Sequence, residues 1–147
     1  MSASPRRPSS ARASAARRLT ALLAVVQFND EGLIPAVIQD RTTRRVLTLC
    51  YLNRDALAKS LEEGRVYVFR RSQGRVMLKG ETSGHVQTIK RVSIDCEGQS
   101  LLFEIDPRVA GCHAGYFSCY YRRLGSSGSF SVTEKRVFDP ARIYRNG

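Results

Sequence analysis

Two runs in the first half of the chain decide the fold class, Ile34-Pro-Ala-Val-Ile-Gln39 and Arg45-Val-Leu-Thr-Leu-Cys-Tyr-Leu52. Both are rich in β-branched and apolar residues, which favour β-strands. The intervening Asp40-Arg-Thr-Thr43 is typical of a turn. This stretch therefore predicts a β-hairpin.

A short helix is predicted directly after the hairpin. Asn53 is a residue type that caps helix N-termini, and Asp55 falls in the first turn, where a negative charge is favourable. Apolar residues follow on one face, and Gly64 is placed to end the helix after about three turns. The segment itself carries no catalytic signal, so we interpret it as a helix packed on a sheet.

The rest of the chain has the pattern of short strands separated by turns. We predict strands at Val66–Phe69, Arg75–Leu78, Val86–Ile94, Ser100–Ile105, Tyr116–Arg123 and Phe130–Val137. No internal repeat is visible. The expected fold class is mainly β (α+β), with a compact, barrel-like antiparallel sheet and one or two short helices.

The N-terminal residues differ from the rest in composition. Residues 1–12 are Ser, Pro and Arg with little apolar surface, whereas Ala and Leu at helical spacing in Ala13–Val26 indicate a short helix. We place a disordered extension at 1–19 and a single domain at 20–147. The absence of a secretory signal predicts a cytoplasmic protein, although the acid-free, Arg- and Ser-rich start also resembles an organellar transit peptide.

The net charge of the chain and the length of its apolar runs indicate which classes of partner it can bind. The chain carries a formal net charge of +11, and without residues 1–29 it keeps 19 basic and 13 acidic side chains. This excess suits an anionic ligand such as a phosphorylated nucleotide. An RNA-binding module is the alternative, but no RNP-like aromatic motif, zinc-finger spacing or recognition-helix pattern is present. No membrane span is expected, because the longest apolar run, Ala21–Val26, is too short.

Three cysteines, Cys96, Cys112 and Cys119, lie near glycines that let the backbone bend. Without a secretory signal the thiols are expected to be reduced, and clustered reduced cysteines are metal-site candidates. Three thiolates would leave a tetrahedral Zn²⁺ one open position, as in a site that activates water. The alternative is that they are small core residues, the role we assign to Cys50 in its apolar run.

Polar side chains flank Cys96 on both sides. In extended backbone Asp95, Glu97 and Gln99 would share one side, while Cys96 would point to the other. Oxygen ligands suit a hard cation, so this ladder is a candidate Mg²⁺ site beside the zinc. A polar hairpin turn is the alternative interpretation.

A glycine-bounded loop between two predicted strands is a candidate phosphate site. It lacks the spacing of a Walker loop, so use of a nucleoside triphosphate is not predicted. The candidate phosphate-binding residues are Lys79, Gly80, Glu81, Thr82, Ser83 and Gly84, with Arg70 and Arg71 from the preceding hairpin. His85 follows this loop and His113 follows Cys112, which makes both candidates for acid–base roles.

Five separated motifs agree in order and spacing with one family. They are Gly32-Leu-Ile-Pro-Ala-Val-Ile-Gln-Asp40, Asn53-Arg-Asp-Ala-Leu57, Lys79-Gly-Glu-Thr-Ser-Gly84, Asp95-Cys96, and Cys112-His-Ala-Gly115 with Ser118-Cys119. Together they closely resemble the phosphoribosyl-AMP cyclohydrolase family. The resemblance covers roughly residues 28–123, and Phe138-Asp-Pro140 with Tyr144 extends it.

The resemblance implies a homodimeric hydrolase of the third step of histidine biosynthesis. Its substrate would be phosphoribosyl-AMP, a phosphorylated purine nucleotide whose ring is opened between N1 and C6. One zinc per subunit would be bound by Cys96, Cys112 and Cys119 drawn from both subunits, and Mg²⁺ by the ladder. The zinc would activate water, and His113 or His85 would transfer the proton.

The chain departs from the family pattern at the ladder. The family has Asp-Cys-Asp-x-Asp, whereas this chain has Asp95-Cys-Glu97-Gly-Gln99, and Gln99 removes a negative charge on which Mg²⁺ affinity depends. The family also usually has tryptophans near Phe69 and Met77, and this chain has none. A zinc-containing paralogue that is inactive on this substrate, or that acts on another purine-like nucleotide, is therefore the alternative function.

Overall fold

The computed structural model describes residues 9–82, 84–107 and 114–143. The helices are α1 (Ser9–Leu23), α2 (Arg54–Glu63) and α3 (Pro140–Ile143). The strands are β1 (Ile34–Asp40), β2 (Val46–Leu52), β3 (Tyr67–Arg70), β4 (Arg75–Leu78), β5 (Gln87–Ile94), β6 (Leu101–Pro107), β7 (Arg122–Leu124) and β8 (Phe130–Val132).

The main sheet has four strands in the order β2-β1-β6-β5. β1 pairs antiparallel with β2 and parallel with β6, and β5 pairs antiparallel with β6. The sheet is therefore mixed and open, with β2 and β5 as its edges in the described part of the chain. The predicted barrel-like antiparallel sheet is wrong in this respect, because alternation of apolar residues specifies a buried face but not the order of strands.

Two hairpins complete the β-structure, β3 with β4 and β7 with β8. The first is joined to the main sheet at its base, where Val66 donates its N–H to the carbonyl of Gln87 at 3.1 Å. A bridge between Arg65 and Thr88 lies beside this bond. The start of β3 therefore lies against the start of β5.

The hydrophobic core lies on one face of the main sheet. In β1 every second residue is buried, as expected for a strand with one face on the core. β6 adds the buried Phe103, and α2 covers this face with Leu57 and Leu61. The opposite face leaves Val37 half-buried and Leu49 exposed.

The predicted helix after the first hairpin is confirmed with both of its caps. The side chain of Asn53 accepts a hydrogen bond from the N–H of Ala56 at 2.8 Å. Gly64 adopts the left-handed conformation and donates its N–H to the carbonyl of Ser60 at 2.9 Å. The local sequence was sufficient here, because capping depends on side chains within one turn of the helix end.

The predicted strands between Ile34 and Ile105 are confirmed with bounds shifted by at most two residues. The last two predicted strands are wrong in extent, because only Arg122–Leu124 and Phe130–Val132 are strands. Residues 116–121 are instead irregular, since their polar groups bond to the edge of β2 and to side chains.

The helix predicted near the N-terminus begins earlier than expected. Residues 9–12 already belong to α1, although the composition of residues 1–12 predicted a disordered extension. The helix contacts α2, and its Leu19, Leu22 and Leu23 pack against the core. The division of the chain at residue 20 stays a prediction.

None of the helices in the described ranges has the length and apolar character needed to cross a membrane.

Two buried polar side chains differ in their hydrogen bonding. Ser60 accepts the N–H of Tyr67 at 2.9 Å and donates its hydroxyl to the same residue's carbonyl at 3.3 Å. Gln87 is fully buried, yet among the described residues neither atom of its carboxamide has a partner. A buried polar group without a partner costs about 1–3 kcal/mol of stability.

We expect Gln87→Met to raise the free energy of unfolding by about 1 kcal/mol, because it replaces an unpaired amide by an apolar side chain of similar shape. Ser60→Ala is the matched contrast and should lower it by about 1–3 kcal/mol, since the Tyr67 N–H loses its partner. Urea denaturation of both variants measures the two changes. Equal losses in both variants would show that the Gln87 amide is paired in solution.

Candidate active site

The loop Lys79–Gly84 follows β4 and is closed by its own backbone. Glu81 donates its N–H to the carbonyl of Leu78 at 3.1 Å, and Gly84 donates to Gly80 at 2.8 Å. Part of the predicted backbone donor set is therefore used within the loop. The half-buried Lys79 and the exposed hydroxyl residue Thr82 are its groups best suited to a phosphate.

A series of close contacts joins this loop to the C-terminal residues. Gly80 has a φ of +89°, and a Cβ there would lie 2.5 Å from the His85 carbonyl oxygen, so only glycine fits. The His85 ring lies edge-on to the Phe138 ring, with centroids 4.8 Å apart. Phe138 donates its N–H to the carbonyl of Gly115 at 3.3 Å. The loop, the histidine and the segment that starts at residue 114 therefore meet.

The segment that carries Cys119 is fixed along the edge of β2. Cys119 donates its N–H to the carbonyl of Leu47 at 2.7 Å. The neighbouring Ser118 is fully buried; its hydroxyl donates to the carbonyl of Val46 at 2.7 Å, and its N–H donates to the Glu134 carboxylate at 2.9 Å. The backbone position of Cys119 is thus determined by both strand and side-chain contacts.

Cys50 lies on β2 opposite Ala36 and packs against the core, as predicted for a structural cysteine. Burial of its thiol raises its pKa to about 12, with a smaller opposing effect of the Lys79 cation and a further rise from Cys119. Cys50 is therefore neutral at physiological pH, which makes it a poor zinc ligand.

Cys96 is exposed and lies in the turn between β5 and β6. Asp95 closes this turn, because its carboxylate accepts hydrogen bonds from the N–H of Gln99 at 2.8 Å and from the Ser100 hydroxyl at 3.1 Å. The Gln99 bond is the main cause that lowers the pKa of Asp95.

The shared face predicted for the magnesium ladder required extended backbone from Asp95 to Gln99. The structure has a turn there instead, so that premise is wrong. The alternative, a polar hairpin turn, describes the backbone correctly. Magnesium binding by Asp95, Glu97 and Gln99 stays a prediction.

Cys96 and Cys119 lie at opposite corners of the main sheet. Cys119 bonds to β2, one edge, whereas the turn of Cys96 follows β5, the other edge. Strands are spaced by about 4.8 Å, so roughly 10 Å separate β2 from the near side of this turn. Two sulfurs on one zinc lie within about 4 Å of each other, since each Zn–S bond is about 2.3 Å.

A single copy of the chain therefore does not bring these two thiolates to one metal. Among the residues that the structure describes, no group of three or more potential metal ligands is found. The donor chemistry fits zinc, but only if Cys96 of one copy meets Cys119 of another. Cys112, His113 and Ser83 lie outside the described residues.

The two candidate arginines are separated from the phosphate loop. Arg70 and Arg71 lie at the tip of the β3–β4 hairpin, while Lys79 follows the other end of β4, which is four residues long. At about 3.3 Å per residue the two groups are roughly 13 Å apart along the strand. The Arg71 guanidinium instead lies over the Tyr51 ring, 4.6 Å from its centroid.

His85 is half-buried and its pKa is lowered from the ordinary value by burial. The imidazole is therefore neutral at pH 7 and can accept a proton. His85 directly follows the Lys79–Gly84 loop, and its acid–base role stays a prediction.

Sequence reasoning missed several residues that shape this site. Ser118, Glu134 and Arg45 fix the Cys119 segment, the last through a bond from its guanidinium to the carbonyl of Tyr120 at 2.8 Å. Arg45 and Ser118 each bond to a residue more than 70 positions away in the chain, so no local sequence pattern predicts these contacts. The sequence analysis named Ser118 within the motif Ser118-Cys119 but missed its contacts with Val46 and Glu134.

The chain is similar to proteins of one enzyme family. Residues 48–121 match the family model described as phosphoribosyl-AMP cyclohydrolase. The phosphoribosyl-AMP cyclohydrolase of Pelotomaculum thermopropionicum is 42% identical over 119 residues, which cover 81% of this chain and 92% of that protein. That of Salinibacter ruber is 39% identical over 123 residues, covering 84% of this chain and 96% of that protein.

A longer relative shares the same region. The histidine biosynthesis bifunctional protein HisIE of Thermoanaerobacter pseudethanolicus is 44% identical over 123 residues, or 84% of this chain, but the match spans only 56% of that protein. The chain belongs to the phosphoribosyl-AMP cyclohydrolase family.

Proposed function

We propose that this chain is the hydrolase that opens the purine ring of phosphoribosyl-AMP between N1 and C6 in histidine biosynthesis. The observation that carries the proposal is the contact series from Gly80 through His85 and Phe138 to Gly115. It joins the loop after β4 to the cysteine segment, two motifs that are far apart in the sequence. The family membership supports the same activity.

We further propose that the active protein is a homodimer with one zinc per subunit, held by Cys96, Cys112 and Cys119 from two copies. The support is geometric, since Cys96 and Cys119 lie at opposite edges of one sheet. Two copies related by a two-fold axis would form two such sites, because each copy contributes Cys96 to one site and Cys119 to the other. When bound, zinc would supply a Lewis acid that activates water.

The residues of the chain would divide the remaining tasks. The Lys79 ammonium would bind a substrate phosphate beside the purine. Neutral His85 would accept a proton during hydrolysis, and its ring orientation is held by Phe138. His113 is the second candidate for proton transfer. Magnesium binding by Asp95, Glu97 and Gln99 is a separate proposal. The carboxylate oxygens of Asp95 already accept hydrogen bonds within the turn.

Turnover by the full chain tests the activity. Purified protein with added zinc should convert phosphoribosyl-AMP to the ring-opened product, and the gene should complement a strain that lacks this step. Bound zinc without turnover would favour the alternative, an inactive paralogue or one that acts on another purine-like nucleotide. The observation that favours this alternative is that Gln99 stands where the family has an aspartate.

Cys119→Ser should lower zinc content from about one per chain to well below half and reduce turnover about 100-fold or more, because a thiolate ligand is lost. Cys50→Ser is the matched control and should keep both, since the neutral thiol of Cys50 is no ligand. Elemental analysis and steady-state kinetics measure the two effects. Equal zinc content in both variants would reject Cys119 as a ligand without bearing on the substrate.

The pH dependence tests His85. Its lowered pKa means that the neutral, proton-accepting form is lost only below the ordinary value of 6.5, so kcat/KM should be constant near pH 7 and fall in acid. Phe138→Leu exposes the imidazole, so this acidic fall should move to higher pH. His85→Asn should remove it and lower kcat about 100-fold or more. An unchanged acidic fall in His85→Asn would assign the proton transfer to another group.

A further inference from the structure

The β7–β8 hairpin presents an apolar face to solvent. Leu124 and Phe130 are paired across the two strands, and Val132 lies two residues further on the same face. These side chains are 64%, 67% and 58% exposed. Exposed apolar side chains grouped on one face indicate a binding surface, whereas single ones do not.

The hairpin is held firmly to the segment that carries Cys119. The Tyr116 and Tyr121 rings stack with centroids 3.7 Å apart. Thr133 donates its N–H to the carbonyl of Tyr121 at 2.8 Å. β7 begins only three residues after Cys119, so at most about 11 Å of chain separate them.

The hairpin is also basic. Arg122 and Arg123 are exposed, and residues 122–132 contain no acidic side chain. The Arg122 guanidinium lies 6.0 Å from the centroid of the Phe130 ring, which places a positive charge beside the apolar face. A complementary surface would therefore combine apolar and acidic groups.

The surface around Cys96 has this complementary character. Asp95 and Glu97 are exposed on either side of Cys96, and residues 95–100 contain no basic side chain. Gly98 in the same turn accepts the N–H of Gln27 at 2.7 Å and lies against the backbone of Val25, whose side chain is 50% exposed. Acidic and apolar groups thus lie together at the other corner of the sheet.

We propose that the β7–β8 hairpin of one copy binds the Cys96 turn of a second copy, with its apolar face near Val25 and Arg122, which lies on that face, near Asp95 and Glu97. The inference rests on the proposed function, in which Cys119 of one copy and the partner's Cys96 share a zinc. A hairpin that starts three residues after Cys119 then reaches the partner's turn. The hairpin therefore fixes how the two halves of the metal site meet.

Phe130→Asp tests the contact in the full chain loaded with zinc sulfate. The new carboxylate would lie at an apolar contact next to acidic residues, so the dimer dissociation constant should rise about 30-fold or more, as expected for a central aromatic residue. Zinc per chain at low protein concentration should fall with it. Analytical ultracentrifugation and elemental analysis measure both, and an unchanged far-UV circular dichroism spectrum confirms that the exposed substitution leaves the fold intact.

Leu49→Asp is the matched control, since Leu49 is 42% exposed on the outer face of the main sheet and touches neither surface in the proposed contact. It should leave the dimer unchanged. Arg122→Glu should weaken the dimer as well, and high salt should weaken the wild-type dimer but affect this variant less.

The outcomes separate the two proposals. A zinc-saturated wild-type chain that stays monomeric would reject the shared metal site itself. A wild-type dimer whose dissociation constant is unchanged by Phe130→Asp would reject the hairpin contact alone. Dissociation by Leu49→Asp without an effect of Phe130→Asp would place the interface on the outer face of the sheet and also reject the hairpin contact.

Discussion

The parallel pairing of β1 with β6 is the constraint on which the rest of the structure depends. Parallel neighbours cannot be joined by a tight turn, so the chain must leave the sheet and return in the same direction. Here the connection contains β2, α2, the β3–β4 hairpin, the loop Lys79–Gly84 and β5. The excursion supplies both the helix that covers the core face and the loop that reaches the candidate site.

The same constraint separates the two described thiolates of the predicted zinc site. β6 lies next to β1, so β5 forms one edge of the sheet and β2 forms the other. The turn that carries Cys96 follows β5. The segment after residue 114 packs on β2, and this places Cys119 at the edge that β2 forms. The two cysteines thus have different surroundings, an acidic turn at Cys96 and a basic, apolar hairpin beyond Cys119.

Burial decides which titratable groups near the site can act at neutral pH. The Cys50 thiol is enclosed by the core, and the rise of its pKa to about 12 keeps it protonated. Burial also lowers the pKa of His85, but for an imidazole this favours the neutral, proton-accepting form. The same physical effect therefore keeps both groups neutral, which protonates the thiol of Cys50 and leaves the imidazole of His85 able to accept a proton.

The sequence by itself determined the local elements and the family. The alternation in β1, the caps Asn53 and Gly64 and the turn signals depend on residues within a few positions of each other, so they could be read directly. The motif order also identified the candidate site residues. What the sequence could not supply was the strand order, the irregular path of residues 116–121 and the lack of a partner for the Gln87 amide among the described residues.

Those features were decided by the tertiary structure, because each depends on groups distant in the chain. Ser118 is fixed by Val46, 72 positions away, and Phe138 orients the ring of His85. Hydrophobic periodicity fixes which face of a strand is buried, but not which strand lies beside it. The placement of Cys96 and Cys119 at opposite corners therefore follows from the pairing of whole strands, and no spacing between cysteines could have predicted it.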